Sequence, residues 1–136
     1  MDILKIEKNN NEINQMSPLT WAYIGDAVYE MYIRTFLINK TKYKPHKLHV
    51  ESIKYVKAKA QAQALEKIKS ILTDEEQEII RRGRNTNTNH IAKNASLQDY
   101  MYATALEALI GYLYLTNNEE RLKEIFRIII GNYVTY

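Results

Sequence analysis

Four glycines and two prolines are the only strong helix-breaking residues in 136 positions, and that scarcity constrains the fold more than any other feature. Between these breaks the apolar residues recur every three or four positions, as they do in helices packed along one face, and no segment shows convincing strand alternation. The expected fold class is therefore all-α. Ser17-Pro18 reads as a helix cap followed by proline at the first helical position. The helix it opens is expected to run to about Asn39, with Leu19, Ala22, Tyr23, Tyr29 and Ile33 turned inward. A polar stretch around Lys40 to Pro45 breaks it, because proline disfavours helix in the residue before it.

A second long helix is expected from about Lys47 to Ser70, with Ile53, Val56, Ala60, Ala64 and Ile68 forming one buried stripe. Thr73-Asp74-Glu75-Glu76 reads as a capping box opening a short helix that ends near Gly83. Arg84 to Asn94 lacks periodicity and reads as a loop. Ser96 caps a further helix through Tyr114, Asn117-Asn118 makes a turn, and Leu122, Ile125, Phe126, Ile129 and Tyr133 mark a final amphipathic helix. Residues 1–16 form a polar lead-in segment that could be flexible, and residues 17–136 one domain, a length sufficient to bury a substantial core.

The absence of cysteine excludes disulfides and thiolate metal sites and fits a reducing compartment. No run of residues is long and apolar enough to span a bilayer, and Met1 to Gln15 lacks the apolar stretch of a secretion signal. A cytoplasmic protein with no membrane partner is expected. A formal charge of +3 and a pI near 9.0 lean mildly toward polyanionic partners.

Two carboxylates stand among apolar neighbours. Asp26, in Tyr23-Ile24-Gly25-Asp26-Ala27-Val28, shares a helix face with Leu19, Ala22, Tyr23, Tyr29, Glu30 and Ile33. Glu107, in Ala105-Leu106-Glu107-Ala108-Leu109-Ile110-Gly111, shares one with Tyr100, Ala103, Thr104, Ile110, Gly111 and Tyr114, and no lysine or arginine lies three or four residues away. Burying an unpaired carboxylate costs several kcal/mol, roughly, so such a residue needs a partner from elsewhere. A distant basic residue is one, and a divalent cation is another. Magnesium takes oxygen ligands, often only one or two carboxylates plus waters and phosphate oxygens. Gly25 and Gly111 flank these acids. Glycine weakens a helix by about 1 kcal/mol relative to alanine, and close approach of two backbones would compensate.

Arg81-Arg82-Gly83-Arg84-Asn85-Thr86-Asn87-Thr88-Asn89-His90, with Lys93 following, is the densest basic and amide-rich stretch. Arginine offers forked donors to phosphates, and Asn and Thr suit ribose hydroxyls in the shallow RNA minor groove. A solvated helix end and loop is the plainer reading, and for Lys47, Lys54 and Lys57 it is preferred. His46 and His49 have no third ligand nearby, which argues against zinc. No nucleophile-elbow or phosphate-loop spacing occurs.

Taken together, Tyr23 through Glu30 and Glu107 through Gly111 resemble the two acidic motifs of the ribonuclease III catalytic domain, in the same order and at a similar separation. The chain from about Ser17 to Tyr133 further resembles the short Mini-III branch of that family, which lacks the double-stranded RNA-binding domain. Arg82-Gly83-Arg84-Asn85 and Glu107 through Leu115 are similar to further motifs of that branch. The resemblance implies an all-helical homodimer with one metal-dependent site per subunit, cutting opposing strands of double-stranded RNA to leave 5′-phosphate and 3′-hydroxyl ends. For this branch it implies maturation of precursor 23S ribosomal RNA in the cytoplasm, with specificity drawn from RNA shape or from a ribosomal protein on the substrate. Carried over by position, Asp26 and Glu107 are the catalytic and metal-binding acids, for Mg2+ with Mn2+ as an alternative. Arg82, Arg84, Asn85 and Lys93 would position the RNA. The further acids of the larger enzymes do not carry over, since Ala22, Leu19 and Thr104 stand in their places. Glu30 is an available third ligand. Two rivals remain at this point: a catalytically silent RNA-binding or ribosome-assembly module on the same fold, and a helical protein-interaction adaptor.

Overall fold

The computed structural model describes residues 2–86 and 96–131. Its regular elements are all helical: α1 (Asn10–Asn14), α2 (Pro18–Lys40), α3 (Pro45–Val56), α4 (Ala58–Ile68), a 3-10 turn (Lys69–Ile71), α5 (Asp74–Arg84), α6 (Leu97–Leu115) and α7 (Glu119–Ile130). The all-α expectation holds.

The helix starts follow the capping chemistry. Ser17 Oγ accepts from the Leu19 amide at 3.2 Å, with Pro18 in the first turn. Ser96 Oγ accepts from the Asp99 amide at 3.0 Å. Thr73 and Glu76 form the reciprocal box, with bonds of 3.1 and 2.9 Å. Asn117 turns the chain between α6 and α7 at φ 60°, a left-handed conformation that asparagine tolerates better than most residues.

At the centre lies α6, whose residues from Ala103 to Leu113 are buried apart from Glu107. A helix that is apolar on every side must be covered on every side. Helices α2, α4, α5 and α7 all pack against it. The packed body begins before Ser17: α1 has its own capping box between Asn9 and Glu12, Ile13 is fully buried, and Trp21 Nε1 donates to the Ile13 carbonyl at 2.8 Å.

The helix expected from Lys47 to Ser70 is two helices. Lys57 adopts an extended conformation, φ −63° and ψ 154°, with neither glycine nor proline at the break. An unbroken helix of that length would run to roughly 36 Å, the span of a small domain. The kink lets α3 lie on α2 while α4 turns onto α6 and α7. It also resets the phase, so Ile53 is exposed while Ser52 and Gln61 are buried; Ala64 and Ile68 remain inward as expected. In α2 the expectation also fails in part. Ala22, Tyr29 and Ile33 are buried, but Leu19 is 42% exposed and Tyr23 82%.

Glu76 does more than cap its helix. It is buried, and Arg121 of α7 grips both its oxygens at 2.8 and 2.7 Å while also donating to the Ile71 carbonyl at 2.7 Å. Burial alone would raise this carboxyl's pKa, but the hydrogen bonds from Arg121 and Thr73 outweigh it and hold the group below its ordinary range. Its contribution is therefore present above the unfolded value and is lost as pH falls through the folded one. Removing one partner of a buried pair strands the other. Arg121→Met is expected to cost about 3 kcal/mol, measured by urea unfolding at neutral pH, and to shrink the acid-induced loss of stability. A cost below half a kcal/mol, roughly the ordinary effect of a surface change, would show the pair to be ornamental.

Candidate active site

The crossing of α2 and α6 is made by glycine. A Cβ placed on Gly25 would stand 1.8 Å from the Glu107 carbonyl oxygen and 2.8 Å from the Gly111 nitrogen. One placed on Gly111 would stand 1.8 Å from the Trp21 carbonyl oxygen. The two backbones thus touch directly, as the sequence led one to expect. Asp26 follows Gly25 on one helix and Glu107 supplies the contact on the other, so the same crossing brings the two acids together. The two carboxyls lie close enough for the charge of Asp26 to act directly on Glu107.

The two carboxyls are not equivalent. Asp26 is exposed, not buried, because it lies on the outer side of α2 with Tyr23 and Ala27. The desolvation argument therefore applies to Glu107 alone. Burial first, then the charge and hydrogen bond of Asp26, push the Glu107 carboxyl up to about 8; the charge of Glu30 adds to this and a hydrogen bond from Gln61 opposes it. Burial beside a second acid thus favours the neutral form of this carboxyl. Glu30 sits near enough to act on Glu107, yet its carboxylate is paired with Arg34 at 3.1 Å.

Among the described residues no group of three or more His, Cys, Asp or Glu side chains could hold a metal. The donor set is two facing carboxylates, one exposed to solvent. That set fits magnesium, which commonly binds through one or two carboxylates and keeps several waters. It does not fit zinc, which takes three or four nitrogen, sulfur or oxygen ligands from the protein.

The basic stretch divides. Arg82, expected at the RNA surface, is committed inward: its guanidinium lies 4.5 Å from the Trp21 ring centroid and donates to the Asn14 and Met16 carbonyls at 3.2 and 3.5 Å. It clamps α1 and the start of α2 to α5. Arg84 and Asn85 close the end of α5, where Arg84 Nε lies 3.4 Å from Asn85 Oδ1. Lys93 lies outside the described residues, as does most of the expected loop. No described helix is long and apolar enough to cross a membrane.

Gln61, from α4, is the residue the sequence reading missed. A signal was present: Gln61, Ala64, Leu65 and Ile68 step by three and four along the buried stripe of α4, and a carboxamide there needs a partner.

The comparisons with known proteins agree with this fold. The Ribonuclease III domain matches residues 19–118, spanning both acids. The chain belongs to the ribonuclease III family. Within that family it is 50% identical, over 93% of its length and 85% of the relative's, to "Mini-ribonuclease 3" of Clostridium tetani (strain Massachusetts / E88). It is 48% identical to "Mini-ribonuclease 3" of Staphylococcus aureus (strain NCTC 8325 / PS 47), over 90% of its length and 93% of the relative's. A crystal structure of a Fusobacterium nucleatum protein superposes with a TM-score of 0.81 at 33% identity, covering 90% of this chain and 98% of that one.

Proposed function

We propose that this protein is a magnesium-dependent endoribonuclease of double-stranded RNA, with Asp26 and Glu107 as the residues that hold the metal. The observation that carries the reading is the facing pair itself: two acids brought together at a glycine-made helix crossing, one of them largely desolvated and the other open to solvent. A structural ion pair would not join two groups of like charge. When bound, magnesium supplies an activated water and stabilises negative charge on the departing 3′ oxygen. Glu107, as its carboxylate, and the solvent-exposed Asp26 would be the residues that hold it.

Arg84, Asn85 and Lys93 position the duplex through phosphates and ribose hydroxyls, while Arg82 acts from behind them by fixing the end of α5 to Trp21. Binding through so few cations is modest in affinity and weakens as salt rises. The protein works as a homodimer with one site per subunit. The solvent-facing Leu19, Tyr23 and Ala27 on α2 give a second copy an apolar surface beside Asp26. Precursor 23S ribosomal RNA is the proposed substrate, with a ribosomal protein on that RNA supplying specificity.

The test is cleavage of an end-labelled RNA duplex with and without magnesium, comparing wild type with Asp26→Asn. Cutting that needs magnesium and disappears in the folded variant is the expected result. RNA binding with no cleavage, on simple duplexes and on precursor 23S RNA with ribosomal proteins alike, would favour a silent RNA-binding module instead.

A further inference from the structure

Tyr112 is buried on α6, next to the Gly111 that touches the Trp21 backbone. It follows Glu107 on the same rigid helix but lies about 140° around it, on a different face. Its ring meets Trp21 edge to face, with centroids 5.3 Å apart. Its hydroxyl lies 2.6 Å from Asn14 Oδ1 and 2.8 Å from Glu75 Oε1, so its one proton has an acceptor on α1 and another on α5. Glu75 stands in the first turn of α5 and Arg82 in the last. Arg82 in turn donates to the Asn14 carbonyl at 3.2 Å. Asn14 thus takes Tyr112 with its side chain and Arg82 with its backbone. A helix roughly 16 Å long is tied at both ends to the helix that carries Glu107, and Arg84 and Asn85 stand where it finishes.

We propose that Tyr112 is a positioning residue for RNA binding: its hydroxyl, through Glu75 at one end of α5 and through Asn14 and Arg82 at the other, sets where Arg84 and Asn85 stand relative to Asp26 and Glu107. This role rests on the reading of Arg84 and Asn85 as RNA contacts. Packing alone asks only for the ring, since phenylalanine would fill the same space against Trp21. Asn14 and Glu75 are exposed, so water could satisfy both without the hydroxyl. What water cannot do is hold them at a fixed distance from α6. That distance matters because forked donors grip a phosphate only within a narrow geometry. An error of about an ångström, introduced far from the chemistry, can cost about 100-fold.

Tyr112→Phe isolates the hydroxyl. Asn14→Ala removes the α1 acceptor from an exposed side chain, and it decides the matter should the first variant fail to fold. Binding of a labelled RNA duplex is measured without divalent ions, across salt concentrations, at a temperature where every protein is folded by circular dichroism. Cleavage in magnesium then gives KM and kcat. The loss of one net hydrogen bond corresponds to about 3- to 10-fold in an equilibrium. The expected result for Tyr112→Phe is therefore a duplex Kd and a KM raised about 3- to 10-fold, with kcat changed less than about 2-fold. Its salt dependence should be shallower, because fewer phosphates are engaged. Asn14→Ala should move Kd and the salt slope in the same directions. A lower Tm with Kd, KM and salt slope unchanged would show a role in stability alone and overturn the proposal. A loss of kcat with Kd unchanged would overturn it too. If Arg84→Ala combined with Asn85→Ala binds RNA as tightly as wild type, the RNA reading of α5 falls and takes this one with it. If that pair weakens binding while Tyr112→Phe and Asn14→Ala do not, the positioning role alone is lost.

Discussion

Gly25→Ala is expected to destabilise the protein by at least about 3 kcal/mol, the upper end of ordinary overpacking costs, and to abolish cleavage in whatever fraction still folds. The added methyl would stand 1.8 Å from the Glu107 carbonyl oxygen, which belongs to the backbone of a buried helix and cannot swing aside. Relief requires α2 and α6 to separate by more than an ångström along the contact that organises the core. Against a total stability of roughly 5–15 kcal/mol for a domain, such a loss is large. Separation also pulls Asp26 from Glu107, so the chemistry suffers before the fold does. Gly111→Ala meets the Trp21 carbonyl at the same distance and is expected to behave alike. Urea unfolding followed by circular dichroism and by Trp21 fluorescence checks the first claim, and duplex cleavage checks the second. A Gly25→Ala protein of wild-type stability would mean that the helices do not cross this closely in solution.

Glu107→Gln is expected to produce opposite effects on stability and activity. The Glu107 carboxyl titrates near 8 in the fold, because of burial first and the charge of Asp26 second, against an ordinary value of 4.5. A folded value above the unfolded one means that the group's contribution is fully present below about 4.5 and is lost as pH rises through about 8. Metal-free wild type should therefore weaken over that window. Glutamine stays neutral and removes the penalty, so the variant should be more stable at pH 8, by ~1–3 kcal/mol after allowing for water at the open side of the pair. Its stability should also vary less with pH. Cleavage should nevertheless fall by at least ~100-fold, since a lost metal ligand removes several kcal/mol of transition-state stabilisation. Parallel denaturation curves at pH 5 and pH 8 without divalent ions, alongside cleavage assays, decide the matter. Equal stability of the two proteins at pH 8 would contradict the desolvation of Glu107. In wild type the magnesium requirement should drop as pH rises toward 8, because the ion displaces a proton from this carboxyl.

Several features of this protein are local and were therefore legible in the chain. Caps at Ser17, Thr73 and Ser96 depend on a side chain and an amide two or three residues away, so their spacing is enough to place them. The helical class follows from periodicity and the lack of breakers, and the pairing of Gly25 with Gly111 from two costly glycines in otherwise strong helices. Asp26 and Glu107 stood out because each is a carboxylate among apolar neighbours. Other features depend on which helix lies against which. Lys57 bends the chain with no breaker of its own, since only the separate docking of α3 on α2 and α4 on α6 requires the bend. Asp26 faces solvent and Glu107 does not, because periodicity defines faces but not which of them the rest of the protein covers. Arg82 turns inward to Trp21 across more than sixty residues of sequence, and Gln61 is buried on a helix whose register the bend at Lys57 had reset. Spacing along one chain determines what a helix offers; packing between helices decides which of those offers become a site.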